Sequence, residues 1–544
     1  MRGAYLGVTA AASLLLAASA GCSNRADDCS LNGNCGGSHP APTSSSSGSG
    51  GGTGSSAGGS GGSGGGGGLD CAGDPTDANT VDACAVFVVK GGMGDGTKNA
   101  PLGDLGAAIR KAAKEQKRVY ACGDFDAQLV VTDAFDLWGG FDCEHGWTWQ
   151  EDARSQLTAP ADVVPLIADV NGDAALHTFA VEAKPATAVG GSSVAVVFGR
   201  LASPSLDRCD VTAHDGNSDD TAPVAGAQGL PSVAANPSTQ GALTCNSSTV
   251  IPGGTQTCDG VIIQGGNGGD GGTAAHPDGY DGGPGRVGGS PVTSGGNGDH
   301  DPNHDCSDGA TLPPGKKGDD GAGGKASELI VTLERDAMMN PTGGVTFGGG
   351  TGQEGVTGAH GVPGGGGGGA HHNPGCRGGL GGAGSSGSCG GGGGSAGRPG
   401  GNSIGIVCLG PRLALDHVAI SAGHGGSGST GGAGGMPGAT VVQPPFSLAG
   451  LTNPGGTPGC QGGAGSSGGA GGAGGGGRGG HALDVVFLES PVTQGPHPTY
   501  THTHDGAWHA VGHGIGGPGG ATTDAGDDGH AGPCWDFSGN EACP

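Results

Sequence analysis

Four segments of the chain share one pattern: GGSSVAVV at Gly190–Val197, GGKASELI at Gly323–Ile330, GGNSIGIV at Gly400–Val407 and GGHALDVV at Gly479–Val486. Each reads Gly-Gly-x-Ser/Ala, two variable positions, then two aliphatics, and the last three start 77 and 79 residues apart. A fixed unit that recurs among long glycine-rich stretches is the signature of a stacked architecture, in which a short apolar strand buries itself only against its neighbours. A second element repeats with it. Leu206-Asp-Arg-Cys-Asp-Val-Thr-Ala213 matches Leu415-Asp-His-Val-Ala-Ile-Ser-Ala422, and both run on into glycine-containing sequence.

The stretches between these pieces have a period of their own. Gly462, Gly465, Gly468, Gly471, Gly474 and Gly477 fall every third residue, as do Gly425, Gly428, Gly431 and Gly434, and Gly265, Gly268 and Gly271. Three residues per turn is the polyproline II repeat, so the glycines line one stripe along which a second such helix can approach closely. Cα–H···O contacts would help to hold the pair together. Composition alone would favour a disordered linker. Against that stands the placing of Cys258, Cys306, Cys376, Cys389, Cys408 and Cys460 in or beside the excursions, where cross-links would have little purpose in a free coil.

With 133 Gly and 34 Pro among 544 residues, ordinary globular composition is excluded, and proline is too scarce for collagen. A formal charge of −27 leaves too few cations to neutralise a phosphate backbone, so nucleic acid is not a partner. Ten aromatic residues lie between Phe87 and Phe198, which places the conventional core there. Around it the pattern predicts a strand at Ala85–Val89 and a helix from about Leu102, then short strands at Val119–Ala121, Leu129–Val131, Leu137–Trp138, Leu166–Ile167, Phe179–Val181 and Val194–Phe198. Gly91-x4-Gly96-Thr97-Lys98 reverses the Lys-Ser/Thr order of a phosphate-binding loop and implies no nucleotide.

Met1-Arg2 and the apolar run Ala4–Ala18 form an export signal too short to span a bilayer. Leu16-Ala-Ala-Ser-Ala-Gly-Cys22 resembles the lipobox of bacterial lipoproteins, with Ser19 departing from the usual Leu. That resemblance implies acylation of Cys22, while cleavage after Ala20 remains the alternative. Seventeen cysteines become sixteen once Cys22 is set aside, an even number suited to disulfides in an oxidising compartment, with Cys29–Cys35 the nearest local candidate pair. Ser44–Gly68 contains only Ser, Gly, Thr and Ala, a tether of roughly 25–30 Å r.m.s. span. Lipoprotein sorting rules make Ser23 compatible with the outer membrane.

Asp95-Gly-Thr-Lys-Asn-Ala-Pro-Leu102, running on to Ala108-Ile109, resembles the opening segment of right-handed parallel β-helix proteins of the pectate-lyase type. Leu137-Trp-Gly-Gly-Phe-Asp-Cys143 with Trp147-Thr-Trp149 resembles a segment of cell-surface β-helix lipoproteins. The glycine runs of 253–530 resemble PGRS-type bacterial surface proteins, and similar glycine-rich bundles occur in some antifreeze proteins. The expected fold is therefore mainly β: right-handed parallel β-helix rungs with glycine-rich polyproline II excursions, stapled by disulfides. The expected organisation is a lipoprotein signal at 1–21, a Cys-containing segment at 22–43, the tether at 44–68, a β-helix domain at 69–252 and a glycine-rich region with interspersed rungs at 253–544.

Two constellations could hold ions. Asp299, Asp301, Asn303 and Asp305 place side-chain oxygens at alternate positions, as in extracellular calcium loops, although His304 stands where Gly is expected and no Glu follows at position twelve. His502, His504, His509 and His513 form a histidine cluster that matches no zinc signature. No Gly-x-Ser-x-Gly element is present, and each downstream Cys reads as half of a bridge. The expected function is a lipid-anchored, exported protein of the outer membrane, facing the cell surface or the periplasm. It acts as a structural or interaction protein for surface polysaccharide or protein, without catalytic activity and with no cofactor required, calcium being the candidate ion of the aspartate loop and a transition metal that of the histidine cluster. The alternatives are a carbohydrate-active β-helix enzyme and a surface carbohydrate- or ice-binding module.

Overall fold

The computed structural model describes residues 71–235, 250–299, 306–372, 377–441, 459–489, 509–510 and 524–543. The chain enters through the strand Ala85–Val89, a glycine loop, the helix Leu105–Glu115 and the strand Arg118–Cys122. The helix begins three residues later than its apolar pattern predicts. Leu102 is taken by a parallel bridge to Val88, and Asp104 supplies the cap, its carboxylate accepting from the Ala107 N–H at 2.6 Å. Leu105, Ala108, Ile109 and Ala112 form the buried stripe, and Gln116 ends the helix in a left-handed conformation.

Beyond this cap the fold is largely β-strand, with three parallel sheets. Six strands make the first: Ala85–Val89, Arg118–Cys122, Phe135–Trp138, Gly172–His177, Ala202–Asp207 and Ala414–Asp416. A five-stranded sheet joins Ser155–Thr158, Phe179–Glu182, Asp210–Thr212, Ala419–Ala422 and His509–Ala510. The third joins Leu129–Val131, Leu166–Ala168, Ser193–Phe198, Ser403–Cys408, Ala482–Phe487 and Ala531–Asp536, and is closed by the antiparallel strand Glu541–Ala542. The chain visits the sheets in a constant order. Leu166–Ala168 leads to Gly172–His177 and Phe179–Glu182, and the circuit repeats from Ser193 and again from Ser403. Inward side chains of all three sheets, among them Leu166, Leu176, Phe179, Val196, Phe198, Leu206, Val211, Ile406, Ile420, Val485 and Phe487, share one core. Each buried aliphatic or aromatic side chain there contributes about 1.5–3 kcal/mol.

The sequence repeat is the stacking unit. Ser193, Ser403 and Ala482 are register partners in successive parallel strands, as are Val197, Val407 and Val486. The second element stacks the same way, with Leu206 beside Leu415 and Val211 beside Ile420. The copy at Gly323–Ile330 departs from this. Its last residue opens a strand, Ile330–Arg335, that pairs antiparallel with Pro341–Gly348 rather than entering the stack. The turn Met338-Met339-Asn340 lets this segment fold back on itself, and Leu329 and Leu333 then cover Val164, Ile167, Val194, Ile404 and Leu483 on the outer face of the seven-stranded sheet.

Three long excursions leave after a strand of the five-stranded sheet and return at a strand of the seven-stranded one: after Thr212 and back at Ser403, after Ala422 and back at Ala482, after Ala510 and back at Ala531. Their glycine segments are hydrogen-bonded side by side with the three-residue period. The N–H groups of Gly352, Gly355, Gly358 and Gly361 donate to the carbonyls of Gly397, Gly394, Gly391 and Ser388, an antiparallel contact at 2.8–3.0 Å. Those of Gly391, Gly394, Gly397 and Gly400 donate to Gly469, Gly472, Gly475 and Arg478, a parallel contact at 2.8–2.9 Å. Only glycine permits such approach: a Cβ on Gly393 would lie 1.7 Å from the Gly355 carbonyl oxygen.

Five disulfides join the described residues: Cys71–Cys84, Cys122–Cys143, Cys258–Cys389, Cys306–Cys460 and Cys534–Cys543. Two of them, closing 131 and 154 residues, tie excursion segments together. The reading of every downstream cysteine as half of a bridge is corrected at Cys209 and Cys408, which are free thiols. Both point into the shared core and act there as small apolar side chains. Cys22, Cys29, Cys35, Cys245 and Cys376 lie outside the described residues.

Candidate functional site

The outer face of the six-stranded sheet carries a ladder of unlike residues. Register pairing places Tyr120, Trp138, His177, Asp207 and Asp416 at one level of five successive strands, with Asp136 two residues before Trp138. The His177 ring lies between two carboxylates, its Nε2 3.3 Å from Asp136 and its Nδ1 3.2 Å from Asp207. Trp138 stacks on the imidazole with centroids 3.8 Å apart and planes within 7°, and its indole N–H donates to Asp136 at 2.5 Å. Arg118 binds the other oxygen of Asp136 at 2.9 Å and lies over Trp138. Arg208 binds Asp207 at 2.9 Å and reaches Asp74 and Glu151 at 3.2 and 3.1 Å.

The corners explain the aim of these side chains. Thr178, Arg208 and His417, each directly after the ladder residue, adopt positive φ values of 53°, 49° and 50°. A left-handed residue ends each strand sharply and turns the chain toward the next sheet at the same level. Burial is the largest influence on His177 and by itself disfavours the imidazolium, yet the hydrogen bonds to Asp136 and Asp207 and their charges together raise its pKa above the ordinary value. Asp136 answers in kind. Burial pushes its pKa up, and the His177 bond with the Arg118 charge outweighs that and holds it below the usual carboxylate value. An open cleft of about 560 Å³ lies alongside, lined by Phe135, Asp136, Asp173, His177, Ser203 and Arg412. Both ring nitrogens of His177 are thus engaged by carboxylates of the protein itself.

At the end of the ladder, Asp207, Asp416 and His417 bring one ligand atom each within 4.8 Å of one another, an arrangement that could coordinate a metal ion such as calcium. Asp207 is half-buried and the other two are exposed. Its Oδ1 is enclosed without a hydrogen-bond partner, while Oδ2 holds His177 and Arg208. The repeated Leu-Asp of Leu206–Asp207 and Leu415–Asp416 was the signal for this pairing, since stacked copies must set the two carboxylates side by side.

Of the expected calcium loop, Asp299 is fully buried and its carboxylate accepts from the His371 N–H at 3.4 Å. Asp301, Asn303 and Asp305 lie outside the described residues, as do His502, His504 and His513. His509 is placed by its backbone alone, in register with Ser421. No protein-family model, curated protein or solved structure matches the chain.

Proposed function

We propose that the chain is an exported, lipid-anchored surface protein with a structural or interaction role and no catalytic activity. In this reading the three parallel sheets are the faces of a right-handed β-helix and the glycine segments are polyproline II helices. The observation that carries it is the common corner of departure: three excursions leave from equivalent points and are bound to one another by ladders of backbone hydrogen bonds, with Cys306–Cys460 linking the first to the second and Cys258–Cys389 bracing the first internally. Such a construction displays a broad backbone surface beside the stack, along which charges such as Asp270 with Arg377 and Lys317 with Asp320 are paired with one another. Among the described residues no helix is long and apolar enough to cross a membrane, and attachment is assigned to acylation of Cys22, with the Ser44–Gly68 tether as spacer.

The second reading, a carbohydrate-active enzyme, draws on the cleft beside Asp136, Asp173 and His177. One experiment separates the two. The full chain and Cys22→Ala are expressed with labelled fatty acid, and the purified protein is offered acidic and neutral polysaccharides with calcium. Label in the wild type alone, and binding without new reducing ends or unsaturated products, is the expected result. Equal labelling of both chains overturns the anchor, and cleavage abolished by Asp136→Asn overturns the non-catalytic role.

A further inference from the structure

Asp484 occupies a place in the stack that its repeat partners fill with almost nothing. It lies between Leu483 and Val485, whose register partners are Ile404 and Ile406 and, one circuit earlier, Val194 and Val196. The equivalent positions are therefore Gly405 and Ala195. A Cβ on Gly405 would stand 2.5 Å from Ile420 Cγ2, so this side of the strand faces the crowded interior. Asp484 is 0 % exposed, and among the described residues neither carboxylate oxygen has a hydrogen-bond partner of good geometry, the Ala422 N–H being only weakly directed at it.

Among the described side chains, the elements packed around it offer no counter-charge. Ser403–Cys408 contributes only the Cys408 thiol, and Ala419–Ala422 has no ionisable side chain. Ala531–Asp536 brings Asp536, which sits opposite Phe487 and accepts from Ser538. His509–Ala510 brings His509, in register with Ser421. On its own segment Arg478 is engaged by Asn402 and the Gly479 carbonyl, and His481 by Asn402 and the His530 N–H. A carboxylate in such a place gives up its hydration for nothing in return, whereas the neutral acid does not.

We infer that closure of this end of the stack is proton-linked through Asp484: Ala482–Phe487 packs tightly around a neutral carboxyl and loosens, with Ala531–Asp536 paired to it, when that proton leaves. Burial, only weakly opposed by the Ala422 N–H, raises the Asp484 pKa to about 7. A carboxyl whose pKa is raised on folding binds a proton that the unfolded chain has released. Its destabilising effect is absent below the unfolded value of about 4, grows as the pH rises to about 7, and is constant above that.

The test is amide hydrogen exchange on the full chain between pH 4 and 8, comparing wild type with Asp484→Asn at residues 482–487 and 531–536. The strand Leu166–Ala168 serves as the internal reference. Wild-type protection should match that of the variant at pH 4 and fall below it by up to roughly 10³-fold by pH 7, then run level. A wild-type to variant ratio that stays constant across the range overturns the inference. If the Asn chain does not assemble, Asp484→Ala, which copies Ala195, is read by the same ratio with the same two outcomes.

Discussion

Replacing Gly366 by Ala should break the glycine bundle locally. The added Cβ would lie 1.8 Å from the Asn267 carbonyl oxygen, about 1.2 Å inside the 3.0 Å below which real Cβ atoms essentially never approach. The obstacle is backbone, so no side chain can swing aside. Moving the segment away by that amount stretches Gly266 N–H to Gly364 O and Gly269 N–H to Gly367 O, now 2.9 and 2.8 Å, to nearly 4 Å. Two interior backbone bonds are then lost with their groups unsatisfied, a cost of about 3–6 kcal/mol, offset by about 0.4–1 kcal/mol because the unfolded chain is stiffer with Ala. A net loss of about 3 kcal/mol raises the population of the locally opened form roughly 10²-fold. Limited proteolysis of the full chain reads this as faster cleavage around residues 266–283 and 364–369. Gly348→Ala is the control. Its nearest neighbour would be Ile330 Cβ at 3.9 Å, and it should change stability by no more than about 0.5 kcal/mol. Equal tolerance of the two substitutions would refute the close packing of the glycine segments.

Two further outcomes follow from the core and the ladder. In the native protein neither Cys209 nor Cys408 should react with an alkylating reagent, since burial pushes the Cys209 thiol up to about 12 and the Cys408 thiol higher still. After denaturation without reductant both should be modified, and mass spectrometry of their peptides during native labelling would expose any error. His177→Gln should remove about 2–3 kcal/mol at pH 6. The imidazolium's contribution is fully present below about pH 6.5 and is lost as the pH rises through its elevated folded pKa, so the wild-type and variant thermal midpoints should converge at alkaline pH. Convergence in acid instead would contradict the assignment.

Much of the stack was legible because its signals are local. Strands such as Val194–Phe198 announce themselves by apolar runs between glycines, and the repeat at Gly190, Gly400 and Gly479 marked the stacking unit before any pairing was known. The exception at Gly323 was easily missed, because inside GGKASELI one polar residue, Ser327, stands where the stacked copies carry Val194, Ile404 and Leu483. The sequence after Ile330, which can pair with itself, completes the difference. Of the ladder only the Asp207–Asp416 pair was legible, through the repeated Leu-Asp. Trp138 and His177 join it only through register, and the chain between successive ladder residues runs 39, 30 and 209 residues, with no common period. Asp484 was equally silent, since its oddity is visible only beside Ala195 and Gly405. Cys408 misled because its place next to glycine-rich sequence suggested a staple, whereas its strand turns the thiol inward.

The common corner of departure also governs how the molecule can be made. Ser193 pairs with Ser403, so neighbours in one ladder are separated by the whole of the largest excursion. Closing a loop of about 210 residues rather than 70 costs only about 1 kcal/mol more in chain entropy, so the finished stack hardly registers the length of what is inserted. The search for that contact is another matter, since pairings so distant in sequence form slowly and leave strand edges open meanwhile. The segment from Ala85 to Thr212 contains successive circuits whose partners lie close in the chain, and it can assemble first as a template. Each later strand then docks on an edge that already exists, at a rate set by how quickly its own glycine segments find one another.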